Sequence, residues 1–131
     1  MHFRRGDYVN NQTVNSFHGT MDLSYYENAI NSIKTKTSVN KLFIFSDDIA
    51  WCKQNMKFDI DTVFVEFESA VAGSMEMMLM SNCKHNIIAN SSFSWWAAWL
   101  NQNDEKVVVA PKKWFANIEN PDIYPQTWIK L

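Results

Sequence analysis

The chain has 131 residues, the size of one domain. A domain this long can bury roughly 68% of the surface its unfolded chain exposes, so it needs no disulfide or metal staple. Apolar residues make up 47% and charged residues 20%, which excludes disorder and collagen-like repeats. A net charge of −2 offers no basic surplus for nucleic acid. The longest apolar runs, such as Val107 to Pro111, fall far short of the roughly 20 residues a membrane helix needs.

In chain order, Met1-His2-Phe3 reads as a strand stub, cut just before its functional end at Arg4-Arg5-Gly6-Asp7. Ser24 and Glu27 form a capping box ahead of a helix carrying Tyr25, Ala29, Ile30 and Ile33. Lys41 to Phe45 is the next strand; Ser46 and Asp47 can cap a helix with Ile49, Cys52 and Met56. Thr62 to Phe67 is a strand, and Gly73-Ser74 opens a helix with Met75, Met78, Leu79 and Cys83 at helical spacing. Asn86 to Ala89 is a strand, Ser91-Ser92 opens a helix with Trp95, Trp96, Trp99 and Leu100, and Lys106 to Ala110 is the last strand before an irregular tail from Pro111. The Met and Trp stripes read as core contacts. The fourteen asparagines read as polar surface.

Alternating strands and helices predict an α/β domain over residues 1–131, a parallel sheet with helices on both faces. The three glycines, Gly6, Gly19 and Gly73, leave no glycine-rich phosphate loop. Cys52 and Cys83 belong to no C-x-x-C pair and read as free, partly buried thiols in a reducing compartment. With no signal peptide at Met1, the expected location is cytoplasmic, extending to peripheral association at the inner membrane face, and the sequons at Asn11 and Asn90 are expected to be idle.

Ligands of open parallel sheets bind beyond the carboxyl ends of the strands. Those ends carry Arg4-Arg5-Gly6-Asp7, Ser46-Asp47-Asp48, Glu66 and Glu68, Asn90-Ser91-Ser92-Phe93-Ser94 and Pro111-Lys112-Lys113-Trp114. Arg4 and Arg5 are the sharpest feature. Adjacent strand residues alternate faces, but at a strand exit both guanidiniums can turn toward one phosphate group, opposite a helix start at Ser91 and Ser92. The alternative is a solvated arginine pair bridged to Asp7 or Asp48. Asp47-Asp48 reads either as an N-cap with a surface charge or as a polar contact steering Arg5. His2 shares Arg4's face and reads either as a donor to phosphate or sugar or as a core histidine. Asp59-Ile60-Asp61 resembles a metal-binding D-x-D but precedes its strand, and the three histidines show no metal-ligand spacing.

His2-Phe3-Arg4-Arg5-Gly6-Asp7-Tyr8 resembles the H-x-R-R-G-D-Y motif of α-1,2-fucosyltransferases, glycosyltransferase family 11. The resemblance extends to Phe45-Ser46-Asp47-Asp48 with Trp51, across Leu79 to Trp96, and through Ala110 to Phe115. It implies a Rossmann-like domain that is one half of a GT-B architecture. It also implies GDP-fucose as donor, a galactose-terminated glycan acceptor fucosylated at its 2-hydroxyl, inversion, and no metal or other cofactor. It places Arg4 and Arg5 on the donor diphosphate and Asp7 at the motif's acidic position. Ser91, Ser92, Phe93 and Ser94 fall on the loop and helix start that meet the nucleotide. Glu76 stands where the family commonly has Asp, a guanine contact. Family enzymes are about twice this length, so the resemblance implies a donor-binding half that associates with an N-terminal half and is inactive alone. The competing readings are a plain α/β interaction module and a metal-dependent transferase using Asp59 and Asp61.

Overall fold

The computed structural model describes residues 1–6, 21–67, 72–115 and 122–131. Asp7, Glu68 and the Asn11 sequon lie outside the described residues. The strands are β1 (His2–Phe3), β2 (Lys41–Ser46), β3 (Asp61–Phe64), β4 (Asn86–Ile87), β5 (Val108–Ala110) and β6 (Ile129–Lys130). The helices are α1 (Leu23–Lys34), α2 (Ile49–Asn55), α3 (Ala72–Ser81) and α4 (Ser92–Leu100). The α/β alternation matches the expectation. β3 ends sooner than the apolar run Thr62–Phe67, and β6 lies inside the tail expected to be irregular.

All strand pairs are parallel, in two three-stranded sheets ordered β1-β2-β3 and β4-β5-β6. The sequence predicts one continuous sheet; the break falls between β1 and β4, where β1 is only two residues long. One core still spans the break. Phe3, Ile44, Ile87 and Val109 belong to the same buried cluster. The Tyr25 hydroxyl, brought in on α1, donates to Ile88 O at 2.7 Å and lies 3.3 Å from Val109 O.

Alternation along β2 covers both sheet faces. Leu42 and Ile44 join the cluster with Ile30, Ile33 and Cys52 of α1 and α2, while Phe45 packs with Met80 and Ala97 of α3 and α4. Each such fully buried apolar side chain contributes about 1.5–3 kcal/mol. The Met and Trp stripes are core only in part. Met80, Ala97 and Ala98 are buried, but Met78, Trp96, Trp99 and Leu100 are about half exposed. Trp95 alone of the α4 tryptophans reaches the second core, near Tyr124 and Trp128.

Two caps differ from the sequence reading. Asp22 caps α1, accepting from Tyr25 N at 2.9 Å and from the Ser24 hydroxyl at 2.7 Å, so Ser24 supports the cap instead of forming it. Asp48 caps α2, accepting from Trp51 N at 3.2 Å. The asparagines are not all surface: Asn86, Asn90 and Asn101 are buried. Asn101 donates to Asn86 Oδ1 and Cys83 O, and Asn86 donates to Met80 O, tying the α3–β4 turn to the end of α4.

Candidate functional site

The polar strand ends meet at one rim. β1 and β2 run in register His2 to Phe45 and Phe3 to Ser46, so Arg4-Arg5 and Asp47-Asp48 leave the sheet side by side. Asp47 turns its carboxylate onto the chain leaving β1. Its Oδ1 accepts from Arg5 N at 2.9 Å and its Oδ2 from Gly6 N at 3.0 Å. A Cβ at position 6 would lie 2.7 Å from Asp47 Oδ2, so only glycine lets the backbone approach this closely.

The two arginine heads have different partners. Arg4 Nη1 lies 3.2 Å from Asp47 Oδ2, a pair about a third exposed on the arginine side. Arg5 is held more firmly. Its Cζ sits 3.4 Å from the Trp51 ring centroid, and its Nε is buried, 3.6 Å from Asp48 Oδ2 and so beyond hydrogen-bond distance. The contact of Arg5 with Asp48 is the ion-pair alternative the sequence left open. Both roles weighed for Asp47-Asp48 occur, divided between the residues: Asp48 is cap and Arg5 partner, Asp47 is the polar contact to the backbone.

His2 lies 4% exposed, with its ring 5.3 Å from that of Phe93. Burial, then the Met1 ammonium, then Arg4 push its pKa down to about 3, so it is a neutral imidazole near neutral pH. Glu76, on α3, faces the same rim: burial and then the charge of Asp47 raise its carboxyl above the usual range. The start of α4 is nearby through Phe93. Ser91 is its N-cap by backbone position but makes no side-chain cap bond, so the first N–H groups of α4 take no acceptor from it. Ser92 is exposed, while Ser94 is fully buried, its hydroxyl donating to Ser91 O at 3.2 Å.

Asp61 lies elsewhere. It pairs with Lys41 at 2.8 Å at the amino end of β3, away from the rim. Glu66, beyond β3, pairs with Lys53. Cys52 and Cys83 are free thiols, Cys52 buried. No described helix is long and apolar enough to cross a membrane. The residue sequence reasoning left without a role is Trp51. Its signal was legible: an aromatic three residues past the capping Asp48 returns one helical turn later to the strand exit.

The fold and rim define an α/β domain that gathers two guanidiniums, two carboxylates and a helix start at the carboxyl ends of parallel strands. The chain belongs to glycosyl transferase family 11, which it matches over residues 1–131. It is 40% identical over its whole length to the O-antigen biosynthesis glycosyltransferase WbnK of Escherichia coli, covering 43% of that protein. It is 41% identical to an alpha-1,2-colitosyltransferase of Escherichia coli, covering 46% of it. Over 76% of its length it is 30% identical to the galactoside 2-alpha-L-fucosyltransferase SEC1 of Bos taurus, covering 27% of that protein. The chain thus spans less than half the length of these curated relatives. No solved structure matches it.

Proposed function

We propose that this chain is the donor-binding half of an inverting, metal-independent fucosyltransferase of GT-B architecture. The donor is GDP-fucose and the acceptor the 2-hydroxyl of a terminal galactoside. The observation that carries the reading is the rim itself: Arg4 and Arg5 leave β1 beside Asp47, Asp48 and Trp51, at the sheet end where such folds take ligands. Family membership and the relative named a galactoside fucosyltransferase support the reaction class.

In this reading a diphosphate competes with Asp47 for Arg4. The Arg4–Asp47 pair is partly solvated, so exchanging a carboxylate for a diphosphate that carries two charges is favourable. Arg5 keeps its seat on Trp51 and offers its outer edge. Glu76 accepts from the guanine N–H groups, and its raised pKa falls as those donors arrive. The acceptor hydroxyl attacks the anomeric carbon and passes its proton to a base on the acceptor side of the cleft, the bond to the β-phosphate oxygen breaks, and the leaving diphosphate takes the electron pair and its charge. Losing one arginine there lowers the rate by about 10²- to 10³-fold in the full-length enzyme. The second wall of the cleft, supplied by an associating N-terminal half, brings the acceptor, so this chain alone binds donor without turnover.

Calorimetry with GDP and UDP tests the reading. Guanine-selective binding is expected, with no fucosylated product when GDP-fucose and lactose are added. Equal or absent binding of both nucleotides defeats the donor assignment, and product formation defeats the assignment of inactivity. The colitosyltransferase relative favours a second donor, nucleotide-activated colitose. Tighter binding of that sugar nucleotide than of GDP-fucose would transfer the assignment to it.

A further inference from the structure

The two α4 tryptophans that the core does not take, Trp96 and Trp99, are each 50% exposed. Their geometry gives the reason. Trp99 lies flat on Trp95, with ring centroids 5.3 Å apart and planes 10° from parallel, so one indole face is covered and the other is turned outward. Trp96 meets the same Trp95 ring edge-on, at 5.0 Å and 82°. Trp95 is itself anchored: its indole N–H donates to Ile123 O at 3.0 Å, and its ring lies 5.6 Å from that of Trp128. The outer indoles therefore rest on a fixed base.

The chemistry of this face is narrow. α4 carries no charged side chain, and Glu76, the one charge of α3, faces the arginine rim. Polar groups border the aromatics: Ser92 at the start of α4 and Gln102 just past its end are exposed. Among the described residues no protein acceptor takes the indole N–H of Trp96 or Trp99, in contrast to that of Trp95. A neutral ligand with a flat apolar face and a polar edge matches such a surface. A pyranose ring has that form. Galactose in particular carries an axial 4-hydroxyl that leaves its other ring face to C–H groups, and these meet the negative face of an indole favourably. A partner helix packs by interdigitating side chains, for which a flat, backed ring offers no groove. A flat ligand, by contrast, gains from the ring's rigidity, because little side-chain entropy is lost on binding. Trp96 and Trp99 stand about 6 and 10 Å along α4 from Ser92, which opens the helix at the rim.

We propose that the outer face of α4 is a glycan-binding platform, on which Trp99, and Trp96 nearer the rim, stack the pyranose rings of a galactose-containing oligosaccharide. The identity of the glycan rests on the fucosyltransferase reading, which it deepens: with a terminal galactose at the rim, the sugars behind it lie along α4. The stacking itself needs no donor.

The test titrates galactotetraose into the chain and follows the indole N–H signals by NMR, with calorimetry for affinity. The Trp96 and Trp99 signals are expected to shift, with or without saturating GDP. Trp99→Leu should weaken tetraose binding by about tenfold or more, and Trp99→Phe, which keeps a flat aromatic face, should recover most of it. Equal binding by the parent and Trp99→Leu overturns the proposal. So does a parent whose Trp96 and Trp99 signals stay unmoved by tetraose, and that result stands even if the variants fail to fold. Signals that move with phosphatidylethanolamine–phosphatidylglycerol vesicles or with protein concentration, and not with tetraose, assign the face to a bilayer or a second copy and overturn it too. GDP titration of the parent separates the two readings. Tetraose binding without GDP binding defeats the donor site alone, and GDP binding without tetraose binding defeats the platform alone.

Discussion

Arg5 shows how a single side chain acquires a fixed direction. Its guanidinium lies flat on Trp51, and Trp51 is aimed by the Asp48 cap at the start of the same helix. A cation over an indole face is worth roughly 0.5–2 kcal/mol, or about 2- to 30-fold in an equilibrium. Trp51→Leu should therefore weaken GDP binding by about that factor, while Trp51→Phe, which keeps an aromatic face, should recover most of it. Equal loss in both variants at matched thermal stability would mean that the ring only fills space. At Gly6 the expectation concerns folding. An alanine methyl must push Asp47 off the Arg5 and Gly6 amides, so Gly6→Ala should lose about 1–3 kcal/mol in urea unfolding. These residues divide what a sequence can disclose. The polar run Arg4 to Gly6 was visible, and so was its meeting with Asp47 and Asp48, because parallel strands bring their carboxyl ends together. The stacking of Arg5 on Trp51 was not, because it depends on where the first turn of α2 returns to the strand exit.

Among the elements, α1 and β1 are the most readily probed. Removing the α1 cap with Asp22→Ala should lower stability by about 0.5–2 kcal/mol, since two donors, Tyr25 N and the Ser24 hydroxyl, lose their acceptor. The same change at Ser24 should have a smaller effect, which distinguishes the observed cap from the capping box read in the sequence. β1 carries a pH dependence. His2 titrates near 3 in the fold against 6.5 ordinarily, and the Met1 amine near 6 against 8.0. The folded chain thus binds fewer protons than the unfolded chain across that range, and acidification favours unfolding, by at most about 1.4 kcal/mol per pH unit per group. Glu76 has the opposite sign, because its raised pKa lets the folded chain keep a proton longer and offsets part of the loss in the carboxyl range. The urea midpoint should fall between about pH 8 and about pH 5. A flat profile would show that the two buried bases titrate as they do in an unfolded chain.

For the whole molecule, the sequence showed the α/β class and the alternation of strands with helices, because strand-length apolar runs separated by helical spacing leave few alternatives. It did not show the division into two sheets, because that depends on the length of β1 and not on any pattern within it. Nor did it show β6: Ile129–Lys130 pairs with Val109 and Ala110 at too short a length to leave a periodicity. The asparagine network at Asn86 and Asn101 was hidden for another reason. A polar side chain satisfied by backbone carbonyls looks, in composition, the same as one in water.

The Tyr25 hydroxyl also bears on how the protein comes apart. One phenol on α1 donates across to the β4–β5 layer, and burial raises its pKa well above that of an ordinary tyrosine. That bond reinforces the core that already joins the two layers. Tyr25→Phe should therefore lower stability in urea unfolding by about 0.5–1.5 kcal/mol while near-ultraviolet and far-ultraviolet transitions stay coincident; transitions that part would show that the hydroxyl alone couples the layers.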